Sequence, residues 1–159
     1  MPILTQSGRV AVAESVAARP IHLAWGSGDG LWTTPPAENS SAVALLNELG
    51  RRAVTSVQYV VPDVAGAIIL SNGSYSLSTP PTKSLLFTVN FDFVDAPGMV
   101  IREVGLFLGS TTDAGLPIGQ RYFIPAEVTA PGRLLHLENI APIFRSPSIR
   151  ENFEIVLTF

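Results

Sequence analysis

The alternation of apolar and polar positions is clearest over residues 85–94. Leu85, Phe87, Val89, Phe91 and Phe93 fall on one side, and Leu86, Thr88, Asn90, Asp92 and Val94 on the other. A period of two with large apolar groups on one side marks a strand. Asp95-Ala96-Pro97-Gly98 then turns the chain into Met99–Leu108, predicted to return as its antiparallel partner. Upstream, Ala67–Leu70 and Tyr75–Ser78 flank Ser71-Asn72-Gly73-Ser74. The Asn-Gly pair predicts a hairpin whose tight turn needs positive φ at both residues. A mixed-face strand is expected from Ala53 to Val61, and a short one over Ile21–Trp25, ending in the turn Gly26-Ser27-Gly28-Asp29-Gly30. After a flexible loop from Gly109 to Pro117, strand-like runs recur around Ile118–Ile124, Arg133–Ile140 and Ile149–Phe159.

Two segments carry helical signals. Thr5 or Ser7 is placed to cap an alanine-rich helix running to about Ala18, which Arg19-Pro20 stops because the residue before proline is pushed out of the α region. A polar connector, Leu31–Ser41, contains Pro35-Pro36. Ser40 or Ser41 then caps a predicted second helix, Ala42–Gly50, in which Val43, Leu46 and Leu49 form a stripe. The expected fold is α+β: a single domain over residues 1–159 with two short N-terminal helices packed on a mostly antiparallel β-sheet.

Composition changes this picture in one respect. Of 159 residues, 14% are charged and 47% hydrophobic, whereas soluble domains carry about 25% charge. A charge-poor chain with no apolar run long enough to span a bilayer is expected to be covered by protein partners over much of its surface. The net charge of −3 and the lack of a basic run argue against a nucleic-acid groove. With no cysteine there is no disulfide framework, thiolate metal site or cysteine nucleophile. The N-terminus, Met1-Pro2-Ile3-Leu4, has no basic region leading an apolar core, so synthesis in the cytoplasm without a signal peptide is expected. The sequons at Asn39 and Asn72 are discounted on the same ground.

Candidate chemistry is thin. His22 and His136 are the only histidines, and neither has a neighbour at metal-ligand spacing. Ser27, His22 and Asp29 make a paper triad, but no Gly-x-Ser-x-Gly elbow frames the serine. The Gly26–Gly30 loop lacks the Gly-Lys-Ser/Thr ending of a phosphate cradle. Asp92 and Asp95 read as a turn at a strand end. Trp25 and Trp32 bracket the glycine loop and read first as core or protein interface, with stacking on a sugar ring as the alternative. No enzyme, metal or cofactor is expected.

Several segments, in order, resemble the N-terminal domain of phage tail fibres, which attaches the fibre to the baseplate. They are Thr5-Gln6-Ser7-Gly8 with Ala11–Ala18, Gly28-Asp29-Gly30, Pro35-Pro36 and Leu45-Leu46-Asn47-Glu48 with Arg51-Arg52. The most specific match is Ile101-Arg102-Glu103-Val104-Gly105-Leu106-Phe107. The chain also resembles small proteins found among phage tail genes. It departs from the fibre pattern after Leu108, where the loop is longer and Arg121–Phe159 follows its own pattern, and no fibre shaft is expected to follow.

The resemblance implies a structural virion protein, an adaptor of baseplate or tail fibre, located in the tail. Its partners would be other tail proteins such as the baseplate wedge and the tail fibre, in a homo- or hetero-oligomer, with no nucleic acid and no membrane. A glycan-binding module at the host-contact end is the alternative. Interface candidates are Trp25, Asp29, Trp32, Arg102, Glu103, Phe153 and Phe159. The last two lie on the terminal strand, expected to offer an edge for strand addition. Arg102 and Glu103, adjacent on a strand, point to opposite faces. Either one borders the core while the other reaches a partner, or both satisfy polar groups internally.

Overall fold

The computed structural model describes residues 1–159. In chain order the elements are the helix α1 (Gln6–Ala17) and the strands β1 (Ile21–Gly26), β2 (Glu48–Ala53), β3 (Ser56–Pro62), β4 (Ile68–Leu70), β5 (Gly73–Leu77) and β6 (Ser84–Phe91). They continue with β7 (Val100–Leu108), β8 (Thr111–Thr112), β9 (Tyr122–Phe123), β10 (Val128–Ala130), β11 (Arg133–Phe144) and β12 (Glu151–Thr158). A 3₁₀ turn, Pro125–Glu127, precedes β10.

The expectation of two helices packed on one sheet is overturned. Strand accounts for 45% of the chain and helix for 9%. There is one α-helix, and the strands form two five-stranded sheets and one two-stranded ribbon. The chain divides into two compact units, residues 1–19, 54–90 and 152–159 in one, and residues 20–53 and 91–151 in the other.

The first helix forms as its sequence predicts. Thr5 Oγ1 accepts the Gly8 N–H at 3.1 Å, which caps the N-terminus. The Ala18 and Arg19 N–H groups close on Glu14 and Val16 carbonyls before Pro20. Ala13 and Val16 are buried.

The predicted second helix, Ala42–Gly50, does not form. Its end is β2, and the residues before β2 are irregular. The N–H groups of Leu46 and Asn47, which a helix would direct to carbonyls four residues back, donate instead to the Glu103 carboxylate at 2.9 and 2.8 Å. The apolar stripe serves no helix face: Val43 and Leu46 are exposed, while Leu45 is buried with Ala24 and Phe107. Tertiary partners outweigh a helix propensity worth only a few tenths of a kcal/mol per residue.

In the second unit the five-stranded sheet has the order β11-β7-β1-β2-β9. β1 lies in the middle and all six of its residues are buried. Pairing sets Leu23 opposite Leu106, Ala24 opposite Gly105 and Trp25 opposite Val104. One face therefore carries His22, Ala24, Glu103, Gly105 and Phe107, and the other Leu23, Trp25, Val104 and Leu106. Met99–Leu108 was expected to pair with the strand starting at Leu85. β7 pairs instead with β1 and β11, and β6 belongs to the other sheet. Residues 92–99 are not a tight hairpin turn, and Ala96 and Gly98 in them adopt φ of 46° and 77°. The loop expected from Gly109 to Pro117 contains β8, paired with β10.

In the first unit the sheet has the order β12-β6-β3-β5-β4. Val60, Tyr75, Leu86 and Val156 form its core cluster, with Ile68 and Leu70 against it. β6 buries Leu85, Phe87 and Val89 as its alternation predicts, and Leu86 on the other face as well. The predicted β4–β5 hairpin forms, but pairing of Leu70 with Gly73 puts the turn at Ser71-Asn72. Gly73 has φ of 142° and Asn72 is not at positive φ, so the Asn-Gly primed turn is corrected by one residue.

Gly105 is a crowded position on the central face. A Cβ there would lie 2.8 Å from Leu134 Cδ1 and 3.0 Å from Leu45 Cδ2. Gly105→Ala is expected to lower stability by roughly 1–3 kcal/mol through overpacking, measured as a shift of the urea midpoint.

Candidate functional site

The motif residue Glu103, at 2% relative exposure, lies within β7 opposite Gly26, the last residue of β1. Its Oε1 accepts the N–H groups of Asn47 at 2.8 Å and Gly28 at 3.2 Å, and its Oε2 accepts that of Leu46 at 2.9 Å. A carboxylate in low dielectric is costly unless its lone pairs are filled, and three N–H donors supply this. Gly26 makes the room: a Cβ there would collide with Glu103 Oε1 and the Asn47 carbonyl. Glu103 has no cationic partner within 4.0 Å. Arg102 donates from Nη1 to the Ser27 carbonyl at 3.2 Å, while its Nε is buried without a hydrogen bond. Both side chains hydrogen-bond backbone groups of the connector between β1 and β2.

On the opposite face, Trp25 is fully buried. Phe91 stacks on it at 3.6 Å between ring centroids, and its Nε1–H donates to the Tyr122 hydroxyl at 3.0 Å. Burial pushes the Tyr122 phenol above its usual pKa. Trp32 is half-buried and covers Gly28, where φ is 56°. Asp29 holds the turn between them, its Oδ1 accepting the Leu31 N–H at 2.9 Å. The structure thus gathers Asp29, Trp32, Arg102 and Glu103 around one loop and separates Trp25 from solvent. Phe153 and Phe159 are half-buried in the other unit, where the Phe159 N–H donates to the Lys83 carbonyl.

Beside Trp25 lies a group that sequence reasoning missed. Arg145, 4% exposed, donates to the carbonyls of Asp92, Asp95 and Ile149 and approaches Glu151 at 3.4 Å. Its guanidinium lies 5.1 Å from the Trp25 ring centroid. It ties residues 92–99 to residues 144–151, and those two segments expose Phe93, Val94, Met99, Phe144 and Ile149. The available signal was a lone charge in Ile143-Phe144-Arg145-Ser146-Pro147.

Below the sheet's other face, Arg51 is 2% exposed, chelated by Glu48 at 2.7 and 2.8 Å and set 4.2 Å from the Phe107 ring centroid. Its Nη1 also donates to Ser110 Oγ and the Pro131 carbonyl. Asp92 and Asp95 form the expected turn, Asp95 Oδ2 accepting from the Asp92 N–H and from Arg52 Nη1, both at 2.7 Å.

The paper triad does not assemble. His22 and Ser27 are five residues apart along an extended strand, roughly 16 Å at the usual rise. Asn47 Nδ2 donates to the Ser27 hydroxyl, and His22 packs edge-on against Phe123 at 5.6 Å. His136 approaches Glu138 at 3.7 Å. No three His, Cys, Asp or Glu side chains are grouped to hold a metal ion.

Burial, then the nearby Arg51 and Arg121 charges, lower the His22 pKa from 6.5 to about 4. The folded state therefore binds fewer protons than the unfolded state between those values. Stability is full above pH 6.5 and declines as pH falls toward 4. The loss reaches on the order of 3 kcal/mol. Urea midpoints are expected to fall over this window, and the fall is expected to shrink in His22→Phe. At Glu103, Glu103→Ala leaves three backbone N–H groups without their acceptor and is expected to cost roughly 3 kcal/mol or more. Glu103→Gln keeps one oxygen and turns an NH₂ toward a donor, so urea unfolding is expected to rank it between wild type and alanine.

No curated protein sequence matches the chain. A family profile, described as "Baseplate wedge 3 tail fiber network component", matches residues 1–159. The Ile101–Phe107 motif lies in the middle of that match, on the strand that carries Glu103, Gly105 and Phe107. The chain belongs to this family and is a component of the phage tail baseplate and its tail fibre network.

Proposed function

We propose that the chain is an adaptor within this network, joining other tail proteins by docking and performing no catalytic step of its own. The observation that carries the reading is the exposure of Phe93, Val94, Met99, Phe144 and Ile149 on the two segments that buried Arg145 clamps together. Apolar side chains held on a rigid base lose little entropy on binding, and burying them supplies the driving force of a specific interface. β12, at one margin of its sheet, adds a second means of attachment, by strand addition. The protein would be present in several copies set by the symmetry of the tail.

A sugar-stacking role draws less support. The face of Trp25 is occupied by Phe91, and Trp32 lies against Gly28. Nor does a hydrolase role gain from the histidines: His22 is held neutral among apolar and cationic neighbours, and Ser27 is engaged by Asn47.

The test is a doubly substituted protein, Val94→Asp with Phe144→Asp, at positions 79% and 74% exposed. It is expected to fold with an unchanged thermal midpoint, and its content in purified virions, by quantitative mass spectrometry, is expected to drop by on the order of tenfold or more. Undiminished incorporation would exclude this face as a docking surface. Absence of the wild-type chain from particles would remove the adaptor reading altogether.

A further inference from the structure

The two margins of the first unit's sheet lie closer together than its strand order alone requires. β12 stands at one margin and β4 at the other. Yet Ile68 and Leu70 of β4 pack against the cluster that contains Val156 of β12 and Leu86 of β6. The sheet therefore curls and brings the β4–β5 turn over β12. There Asn72 Nδ2 donates to the Val156 carbonyl at 3.4 Å.

That carbonyl belongs to the open side of β12. The Ser84 and Thr158 hydroxyls meet at 2.7 Å, and the Phe159 N–H donates to the Lys83 carbonyl at 2.9 Å, so β12 runs antiparallel to β6. Residues of an antiparallel pair alternate between those that bond the neighbouring strand and those whose N–H and C=O point away from it. Phe159 bonds toward β6, and Asn152, Glu154, Val156 and Thr158 thus turn their backbone groups outward. Charge guards the first half of this margin: Glu151 and Glu154 precede Ile155-Val156-Leu157-Thr158-Phe159, which carries none. An uncharged apolar edge pairs indiscriminately with other strands unless something covers it. Asn72 lands on that uncharged half.

The hairpin is anchored firmly at its base and lightly at its tip. At the base, Asp63 accepts the Ser76 hydroxyl at 2.7 Å and the Ala65 N–H at 2.9 Å, and its own N–H donates to the Ser74 carbonyl. At the tip, Ser71, Asn72 and Gly73 are exposed. An open cavity of about 520 Å³ beside them, lined by Pro62, Val64 and Tyr75, leaves one side of the turn unpacked. Segments with few packed contacts open at far lower cost than the core.

We propose that the β4–β5 hairpin is a latch on the margin of β12. Closed, Asn72 caps the Val156 carbonyl and stops a foreign strand from running the length of β12. Open, the hairpin leaves the whole margin to a partner's extended segment. The proposal rests on strand addition at β12 and adds its regulation: the free chain is protected from pairing, and an incoming strand must displace the tip. The apparent affinity of such a site is reduced by the fraction of molecules that are open.

The test uses the full isotope-labelled chain and a capped strand peptide, acetyl-Lys-Val-Thr-Val-Thr-Val-Lys-amide, whose lysines suit Glu151 and Glu154. Binding is followed by the NMR shifts of the Val156 and Thr158 amides. Asn72→Ala removes the donor at an exposed position without positive φ, so the fold is retained. It is expected to bind the peptide about fivefold or more tightly than wild type does. Glu154→Pro, which removes an outward N–H and no bond to β6, is expected to abolish binding in the Asn72→Ala background. Equal affinity of wild type and Asn72→Ala would overturn the latch and leave strand addition standing. No binding by either, or binding that survives Glu154→Pro, would remove strand addition at β12 and the latch with it. Neither result touches incorporation into virions, on which the adaptor reading depends.

Discussion

The fold of the second unit turns on one buried carboxylate. Glu103 collects the N–H groups of Gly28, Leu46 and Asn47, from the two ends of the long connector between β1 and β2. Each charge-assisted bond of this kind contributes about 1.5–3 kcal/mol, but the ordering role matters as much as the energy. A connector with two adjacent prolines has no ladder of its own on which to place its backbone donors. The carboxylate takes the place of that ladder, and the absence of a side chain at Gly26 gives it room.

Two buried guanidiniums complete this way of building. Arg51 joins β2 to the segments carrying Ser110 and Pro131, and Arg145 joins the segment after β6 to the segment after β11. In each case a single planar group satisfies several acceptors, which suits arginine's fixed fork of donors. A charge-poor protein thus keeps four of its charged side chains, Arg51, Asp95, Glu103 and Arg145, indoors as fasteners for loops. That leaves its exterior unusually apolar, and such an exterior suits a component of a large assembly, where neighbours provide the cover that charge provides on a free monomer.

The proposed docking face follows from one of these fasteners. Arg145 fixes the segments that display Phe93, Val94, Met99, Phe144 and Ile149, as Glu103 fixes the two ends of the connector at Gly28, Leu46 and Asn47. Loops held by buried charges retain a defined shape before a partner arrives, so association does not have to order them.

Local signals in the sequence were enough to determine α1, β1, β6 and the runs that become β11 and β12, because period, caps and proline stops act within a few residues. The Ile101–Phe107 pattern also marked the strand that carries the key carboxylate. Only the tertiary structure decided that residues 42–47 are not a helix, since Leu45 and the Leu46 and Asn47 N–H groups find partners on a strand more than fifty residues away. It likewise decided that β7 pairs with β1 and not with β6, a choice between strands of similar pattern that depends on which faces can be buried together. The same holds for Trp25, legible as an aromatic beside a loop but fixed in the core by Phe91 and Tyr122. Short-range patterning writes the elements, and the partners of buried charges and rings, remote in the chain, determine how they are joined.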